Sequence, residues 1–358
     1  MGIQAQGWFA QSGGGPLKKD SLQVPDPGAG EVVLAVEACG LCHTDLGFAS
    51  AKVAPKHALP LVLGHEMVGR ILEAGPGAES WKGKNVIVPA VLPCGDCAFC
   101  RAGRGNACPR QKMPGNDIHG GFASHTLLPA ASLVAVDSSF SGAKFRALGV
   151  VADAVSTAYQ AVKRSGVGKG DVAVVIGTGG VGAFAVQIAR ALGAHVLAAD
   201  VRQDRLELMT KGGAEATFLV EGEDVKKLRQ AIGDLGKKHS VPSFRQFVFE
   251  CSGNAKAQSL AFGALPHAGT LAFVGYTIDK VQVRLSNLMA LDATAFGTWG
   301  CPPGLYPEVL AMIQSGAITL DSFIEEAPMH KINELLDAMA EHKLDKRMVL
   351  VPDFGSST

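Results

Sequence analysis

The sequence predicts an α/β protein of two domains, an irregular β-rich one followed by a doubly wound parallel sheet. Three observations carry this. A chain of 358 residues is long for one core and suits two. Up to about residue 150, short β-like runs are separated by turn signals such as Pro27-Gly28 and Pro76-Gly77. From about residue 155 the rhythm becomes strand then helix, repeated, which is the pattern of a parallel sheet with helices on its faces.

In the first part, Glu31–Glu37, Met67–Leu72 and Asn85–Val88 read as strands. In the second, Val172–Ile176 is a continuous apolar run, so it reads as a strand buried on both faces. A helical pattern follows over Val181–Leu192, then a strand over His195–Ala199. Further strands are expected at Ala216–Leu219, Phe247–Cys251, Thr270–Val274 and Thr294–Thr298, with helical segments between them such as Val225–Leu235. After about residue 300 come two helical segments, Leu305–Gln314 and Ile332–His342, and a strand at Met348–Val351. There is no internal repeat and no low-complexity tract.

With 47% hydrophobic and 18% charged residues, the composition argues against disorder. The formal net charge is zero and no basic run marks a nucleic-acid or membrane surface. No charged stretch followed by an apolar core opens the chain, and no apolar run is long enough to span a bilayer. The expectation is a cytoplasmic protein that binds neither nucleic acid nor membrane.

Six of the eight cysteines fall in two clusters, Cys39 with Cys42, and Cys94, Cys97, Cys100 and Cys108. Cys94, Cys97, Cys100 and Cys108 lie in one short loop, a spacing at which four thiolates close a tetrahedral zinc shell. Such a shell leaves no open position, so this metal is expected to be structural. Gly95, Gly103 and Gly105 supply the turns, and the alternative is four unligated cysteines in a reduced loop. Cys251 and Cys301 are isolated and read as buried small hydrophobes.

Gly177-Thr-Gly179-Gly180-Val181-Gly182 follows the apolar run Val172–Ile176 and opens a helix. A lone G-x-G-x-x-G string is weak, but this context makes it a dinucleotide turn. Its glycines admit a pyrophosphate, whose charge the helix N-terminus favours. Asp200 closes the next strand, where a carboxylate accepts from ribose hydroxyls and repels a 2′-phosphate. That favours NAD, tempered by Arg202 and Arg205, since an arginine can pair with a 2′-phosphate. Cys42, His65 with its neighbour Glu66, and Asp153 are dispersed, but one thiolate, one imidazole and one carboxylate suit an open zinc site.

The run Cys42-His43-Thr44-Asp45, the triplet Gly64-His65-Glu66, the four-cysteine lobe and the glycine turn occur in that order. In these motifs the sequence closely resembles the zinc-containing medium-chain alcohol dehydrogenases over essentially its whole length. The resemblance implies a GroES-like catalytic domain (1–154, with the lobe at about 94–108), a Rossmann NAD-binding domain (155–296) and a return to the catalytic domain (297–358). It makes Cys42, His65 and Asp153 the catalytic zinc ligands, with Glu66 an exchangeable fourth, and Cys94, Cys97, Cys100 and Cys108 the structural ones. Thr44 becomes the hydroxyl that receives the substrate proton, and Asp45 the partner of the His65 ring. His43 and Arg347 are placed near the cofactor pyrophosphate, and Thr157 near the nicotinamide. Gly47 stands where many relatives carry a histidine that passes the proton to solvent. The relay must therefore end otherwise, through cofactor ribose and water or through a histidine such as His43.

The expected reaction is NAD-linked oxidation of an alcohol, in which zinc lowers the hydroxyl pKa towards about 7. Met113–His125, Val86–Pro93 and the Trp8 start resemble a branch of the family that oxidises a cyclic allylic alcohol held as a CoA thioester. Lys52, Lys56, Arg104 and Lys112 are candidates for its phosphates, and His119 for a substrate or turn role. A general alcohol, polyol or benzyl alcohol dehydrogenase is the alternative within the class. A zinc-stabilised NAD-binding sensor or structural protein is the alternative outside it. The family implies a homodimer or homotetramer.

Overall fold

The computed structural model describes residues 2–222 and 224–354. The chain divides into two compact units: Met1–Asp153 with Gly300–Glu308 and Leu320–Thr358, and Ala154–Trp299 with Val309–Thr319. The expected boundaries differ from these in two places. The second unit runs on to Trp299 rather than ending at 296. Residues 309–319, assigned from the sequence to the catalytic domain, cluster with the second unit, where Gln187 binds the Thr319 backbone N–H at 2.9 Å.

The first unit is mainly antiparallel. It holds β1 (Ile3–Ala10), β2 (Lys18–Val24), β3 (Glu31–Gly40), β4 (Leu61–Val62), β5 (Glu66–Ala74), β6 (Asn85–Val88), β7 (His125–Pro129) and β8 (Val134–Ala135). A three-stranded sheet has the order β2-β1-β4. Strands β1 and β2 carry no continuous apolar run, only alternation. Ala5 and Phe9 of β1 and Leu22 and Val24 of β2 are buried, while intervening polar residues face out. That weaker signal is why neither was expected from the sequence.

The second unit is a six-stranded parallel sheet. Its strands are β9 (Val172–Ile176), β10 (His195–Asp200), β11 (Ala216–Leu219), β12 (Gln246–Glu250), β13 (Thr270–Phe273) and β14 (Thr294–Gly297), in the order β11-β10-β9-β12-β13-β14. The order reverses between β10 and β12, on either side of β9, the arrangement that opens a crevice at the strands' carboxyl ends. Every residue of β9 is buried, which accounts for its unbroken apolar run. Val174, Leu197, Val248 and Leu271 form the core with Leu228, Ile232 and Leu235 of helix Val225–Lys238.

The chain then re-enters the first unit, where β15 (Ile324–Pro328) pairs in parallel with β16 (Arg347–Val351). A seven-stranded sheet results, ordered β15-β16-β3-β5-β6-β8 with β7 also on β3. Strand β16 also pairs with the end of β3, at Val349–Gly40 and Leu350–Cys39. This brings the late-chain Arg347 to the place where β3 delivers Cys42. Among the described residues, no helix is long and apolar enough to cross a membrane. Cys301 is buried as expected, whereas Cys251 is only partly so.

Candidate active site and metal centres

Three pieces of backbone converge in the first unit. Strand β3 ends at Gly40, and Cys42 caps the helix His43–Ala49. Asp45, in the first turn of that helix, is fully buried; its Oδ2 accepts from the Cys42 N–H at 3.0 Å and its Oδ1 from the Gly64 N–H at 3.1 Å. One carboxylate therefore ties the cysteine loop to the segment carrying His65. Gly64 has φ +95, and a side chain there would meet Cys39 Sγ at 2.8 Å and the Phe122 ring at 2.9 Å. Only glycine turns the chain this tightly into His65 and β5. The third piece is the tight helical turn Leu148–Ala152, which ends at Asp153.

The donor atoms of Cys42, His65, Glu66 and Asp153 all lie within 4.8 Å of one another. His65 Nε2 faces Asp153 Oδ2 at 3.6 Å, and its Nδ1 faces Asp45 Oδ1 at 3.4 Å. The ring is thus oriented with Nε2 towards the donor cluster. The contact to Asp45 is an ion-pair distance without an aligned hydrogen bond, looser than expected from the sequence. Burial disfavours a charged His65 ring, yet Asp45 and Cys42 beside it outweigh burial and hold its pKa well above the ordinary value. The pocket thus favours positive charge at this point, which a divalent cation would supply. A thiolate, an imidazole and two carboxylates at these separations fit zinc, with one position exchangeable.

Glu66 is fully buried and makes a two-point ion pair with Arg347: Nε donates to Oε2 at 2.9 Å and Nη2 to Oε1. Burial pushes the Glu66 carboxyl up to about 7 against the opposing pull of Arg347. The sequence reading placed Arg347 at the cofactor pyrophosphate and gave Glu66 no partner. In the fold two of its donors meet Glu66, because β16 pairs beside β3. Arg347→Met is expected to cost about 3–5 kcal/mol in denaturant unfolding, since it strands a buried carboxylate. Stability within 1 kcal/mol of the parent would show that Glu66 is neutral in the fold.

Thr44 Oγ1 lies 3.7 Å from Cys42 Sγ, beside the donor cluster. His43 is exposed and its ring stacks on His342 at 6.5 Å. His119 lies outside the cluster: its Nδ1 accepts from the Val62 N–H at 3.2 Å and its ring packs edge-on to Phe9. These contacts fit the turn role. Lys56 is 3.2 Å from Asp117, so its charge is partly answered within the protein.

In the lobe, Sγ–Sγ distances are 3.8 Å for Cys94–Cys100, 3.5 Å for Cys97–Cys100, 3.7 Å for Cys97–Cys108 and 3.5 Å for Cys94–Cys108. A tetrahedron with Zn–S bonds of about 2.3 Å has edges of about 3.8 Å, so the four sulfurs already sit near the corners of a zinc shell. The Cys100 backbone N–H holds the Cys97 thiol down to about 6, favouring its thiolate.

In the second unit, the glycine turn follows β9. Gly177 has φ +82, and a side chain there would strike Ser252 at 2.4 Å. Helix Gly182–Ala191 starts directly after the turn. The Asp200 carboxylate is buried and engaged: Oδ2 accepts from the Thr178 N–H at 2.6 Å and hydroxyl at 2.8 Å, and Oδ1 from the Arg202 N–H at 3.0 Å. The sequence reading missed Thr178 as its partner. Arg205 Nη1 lies 3.5 Å from where a Gly179 side chain would sit, placing a cation against the turn. Thr157 is buried in helix Ala154–Ser165. Glu250 was also missed; its Oε1 orders the loop after β12 by accepting from the Ser252 and Gly253 N–H groups.

Comparison with known proteins agrees with this geometry. Residues 28–138 match the alcohol dehydrogenase GroES-like domain and residues 180–315 the zinc-binding dehydrogenase family. An alcohol dehydrogenase of Rhizobium meliloti is 30% identical over 345 residues, covering 94% of this chain and 96% of its own. Among solved structures, the Aeropyrum pernix alcohol dehydrogenase superposes with TM-score 0.87 at 25% identity, covering 97% of this chain and 100% of its own. The Geotrichum candidum acetophenone reductase in complex with NAD does so with TM-score 0.85 at 26% identity, covering 98% of each chain. The chain belongs to the zinc-dependent medium-chain alcohol dehydrogenases, with a GroES-like domain and a Rossmann domain. It is an oxidoreductase that uses a nicotinamide cofactor and zinc to act on small-molecule alcohols.

Proposed function

We propose that this enzyme oxidises a secondary alcohol to a ketone with NAD, and that its substrate is 6-hydroxycyclohex-1-ene-1-carbonyl-CoA, giving 6-oxocyclohex-1-ene-1-carbonyl-CoA in anaerobic benzoyl-CoA degradation. The observation that carries the reaction is the donor set of Cys42, His65 and Asp153 with the Thr44 hydroxyl 3.7 Å from the ligating sulfur. The acyl-CoA assignment rests on the resemblance carried by Met113–His125, Val86–Pro93 and Trp8.

When bound, zinc held by Cys42, His65 and Asp153 would acidify the alcohol and NAD would accept the hydride. The chain's own residues do the rest. Asp45 fixes the Cys42 loop and the segment bearing His65, so two ligands are set before substrate arrives. Thr44 takes the hydroxyl proton as it leaves. Glu66 is available as a fourth donor while Arg347 restrains it. Gly177, Gly179, Gly180, Val181 and Gly182 would cradle the pyrophosphate, and Asp200 would favour NAD over NADP. Zinc thiolates require reduced cysteines, which suits a cytoplasmic enzyme. A homodimer or homotetramer is expected, to be read from the mass in solution.

Thr44→Val is expected to lower kcat/KM by about 10²–10⁴-fold, the usual worth of a positioned proton acceptor, while Thr44→Ser restores most of it. Equal rates in the valine variant would remove Thr44 from the chemistry. The substrate is tested by NADH formation with the cyclic thioester against cyclohexanol and benzyl alcohol. Turnover of the thioester alone supports the assignment. Turnover of the free alcohols alone replaces it with a general alcohol dehydrogenase, a reading favoured by the pairing of Lys56 with Asp117 rather than with an open anion site. Zinc and NAD binding without turnover of any alcohol would favour a sensor.

A further inference from the structure

A third group of metal-binding side chains lies in the Rossmann unit. His195 is the first residue of β10, Glu215 directly precedes β11, and His239 closes helix Val225–Lys238. Three separate segments thus deliver two imidazoles and one carboxylate, with donor atoms all within 4.8 Å of one another. Glu215 Oε2 is 2.9 Å from His195 Nδ1, and its Oε1 is 2.6 Å from His239 Nε2. The two rings lie face to face, 3.5 Å apart and 14° from parallel. In sequence the three residues are too scattered to form any motif.

This cluster sits at the opposite end of the strands from the glycine turn. His195 begins β10, whereas the turn follows the end of the parallel β9. Roughly 15 Å of strand separates them at about 3.3 Å per residue. The group therefore lies well away from the glycine turn.

A neutral imidazole can move its proton to its other nitrogen and present a lone pair where it now donates. The side chains of His195, Glu215 and His239 are 27%, 28% and 24% exposed, which leaves room for the rings to open about an ion and for water to complete its shell. Lys238 Nζ now occupies Glu215 Oε1 at 2.6 Å; it is 62% exposed and can swing into solvent. Lys238 above all, with both histidines, holds the Glu215 carboxyl down to about 2, so it is an anion at neutral pH.

Two imidazoles and one carboxylate suit borderline divalent ions such as zinc, nickel or cobalt rather than magnesium or calcium. We propose that His195, Glu215 and His239 form a third, solvent-facing site for a divalent transition-metal ion, separate from the two cysteine-containing sites. An ion there ties the end of helix Val225–Lys238 to the starts of β10 and β11. It stabilises the folded unit by mass action and leaves the chemistry of alcohol oxidation untouched.

The test is equilibrium dialysis of the holoenzyme against micromolar free zinc, followed by metal analysis and a melting curve. His239→Ala and His195→Gln are run beside the parent, two variants so that fraying of one helix end does not decide the result. The parent is expected to hold one more zinc per chain than either variant, and zinc is expected to raise its Tm by several degrees but not theirs. Alcohol turnover should be the same in all three. Equal zinc content in parent and variants, or a zinc-dependent Tm rise that survives both substitutions, overturns the proposal.

Discussion

Cys42→Ala is expected to leave alcohol oxidation roughly a thousand-fold or more below the parent, with one fewer zinc per chain. Cys42 is the only thiol among the four donors and its backbone N–H is held by Asp45. Removing it leaves His65 and Asp153 with a Glu66 already held by Arg347, which is too few free donors to keep a metal whose fourth position must also admit substrate. A metal that stabilises developing charge contributes several kcal/mol, and each 1.4 kcal/mol or so is tenfold in rate. The fold should survive, because cysteine to alanine in a buried position removes little volume. Steady-state rates, zinc content and Tm on one preparation separate these effects. Activity above about a hundredth of the parent would place the reaction elsewhere.

Cys108→Ala is expected to do the reverse: lose one zinc and much stability, with turnover retained in the cold. Cys108 is fully buried and its Sγ accepts from the Arg110 N–H at 3.3 Å. The lobe has little else to hold it. Its structure is a short helix at Ala98–Arg101 and a single turn at Gly105–Ala107, and Phe99 is exposed. Where a segment lacks its own apolar core, metal binding is the larger part of its folding free energy. A loss of about 4 kcal/mol or more is expected, with early proteolysis at Arg101 or Arg104. An unchanged zinc count would mean that three thiolates suffice.

The β9-to-glycine-turn unit was legible because local rules agree there: an unbroken apolar run, glycines at the turn and a helix after it. The four-cysteine lobe was legible because its ligands are close in sequence. The catalytic donors were legible only through resemblance, since Cys42, His65 and Asp153 share no spacing. Strands β1 and β2 escaped because alternation over a half-exposed sheet is a weak signal, and residues 309–319 because their assignment rests on contacts with Gln187 made in three dimensions.

What the sequence determined by itself is therefore the class of fold, from its rhythm of strands and helices, and the dinucleotide turn and structural zinc loop, each of these two encoded locally. What only the tertiary structure decided is where long-range partners meet. Strand pairing carries Arg347 across 281 positions to Glu66, the Asp200 carboxylate is taken up by Thr178, and His195, Glu215 and His239 gather at the starts of β10 and β11. The physical reason is that strand register and sheet order place these side chains, and both follow from burying the whole core rather than from any local run of residues.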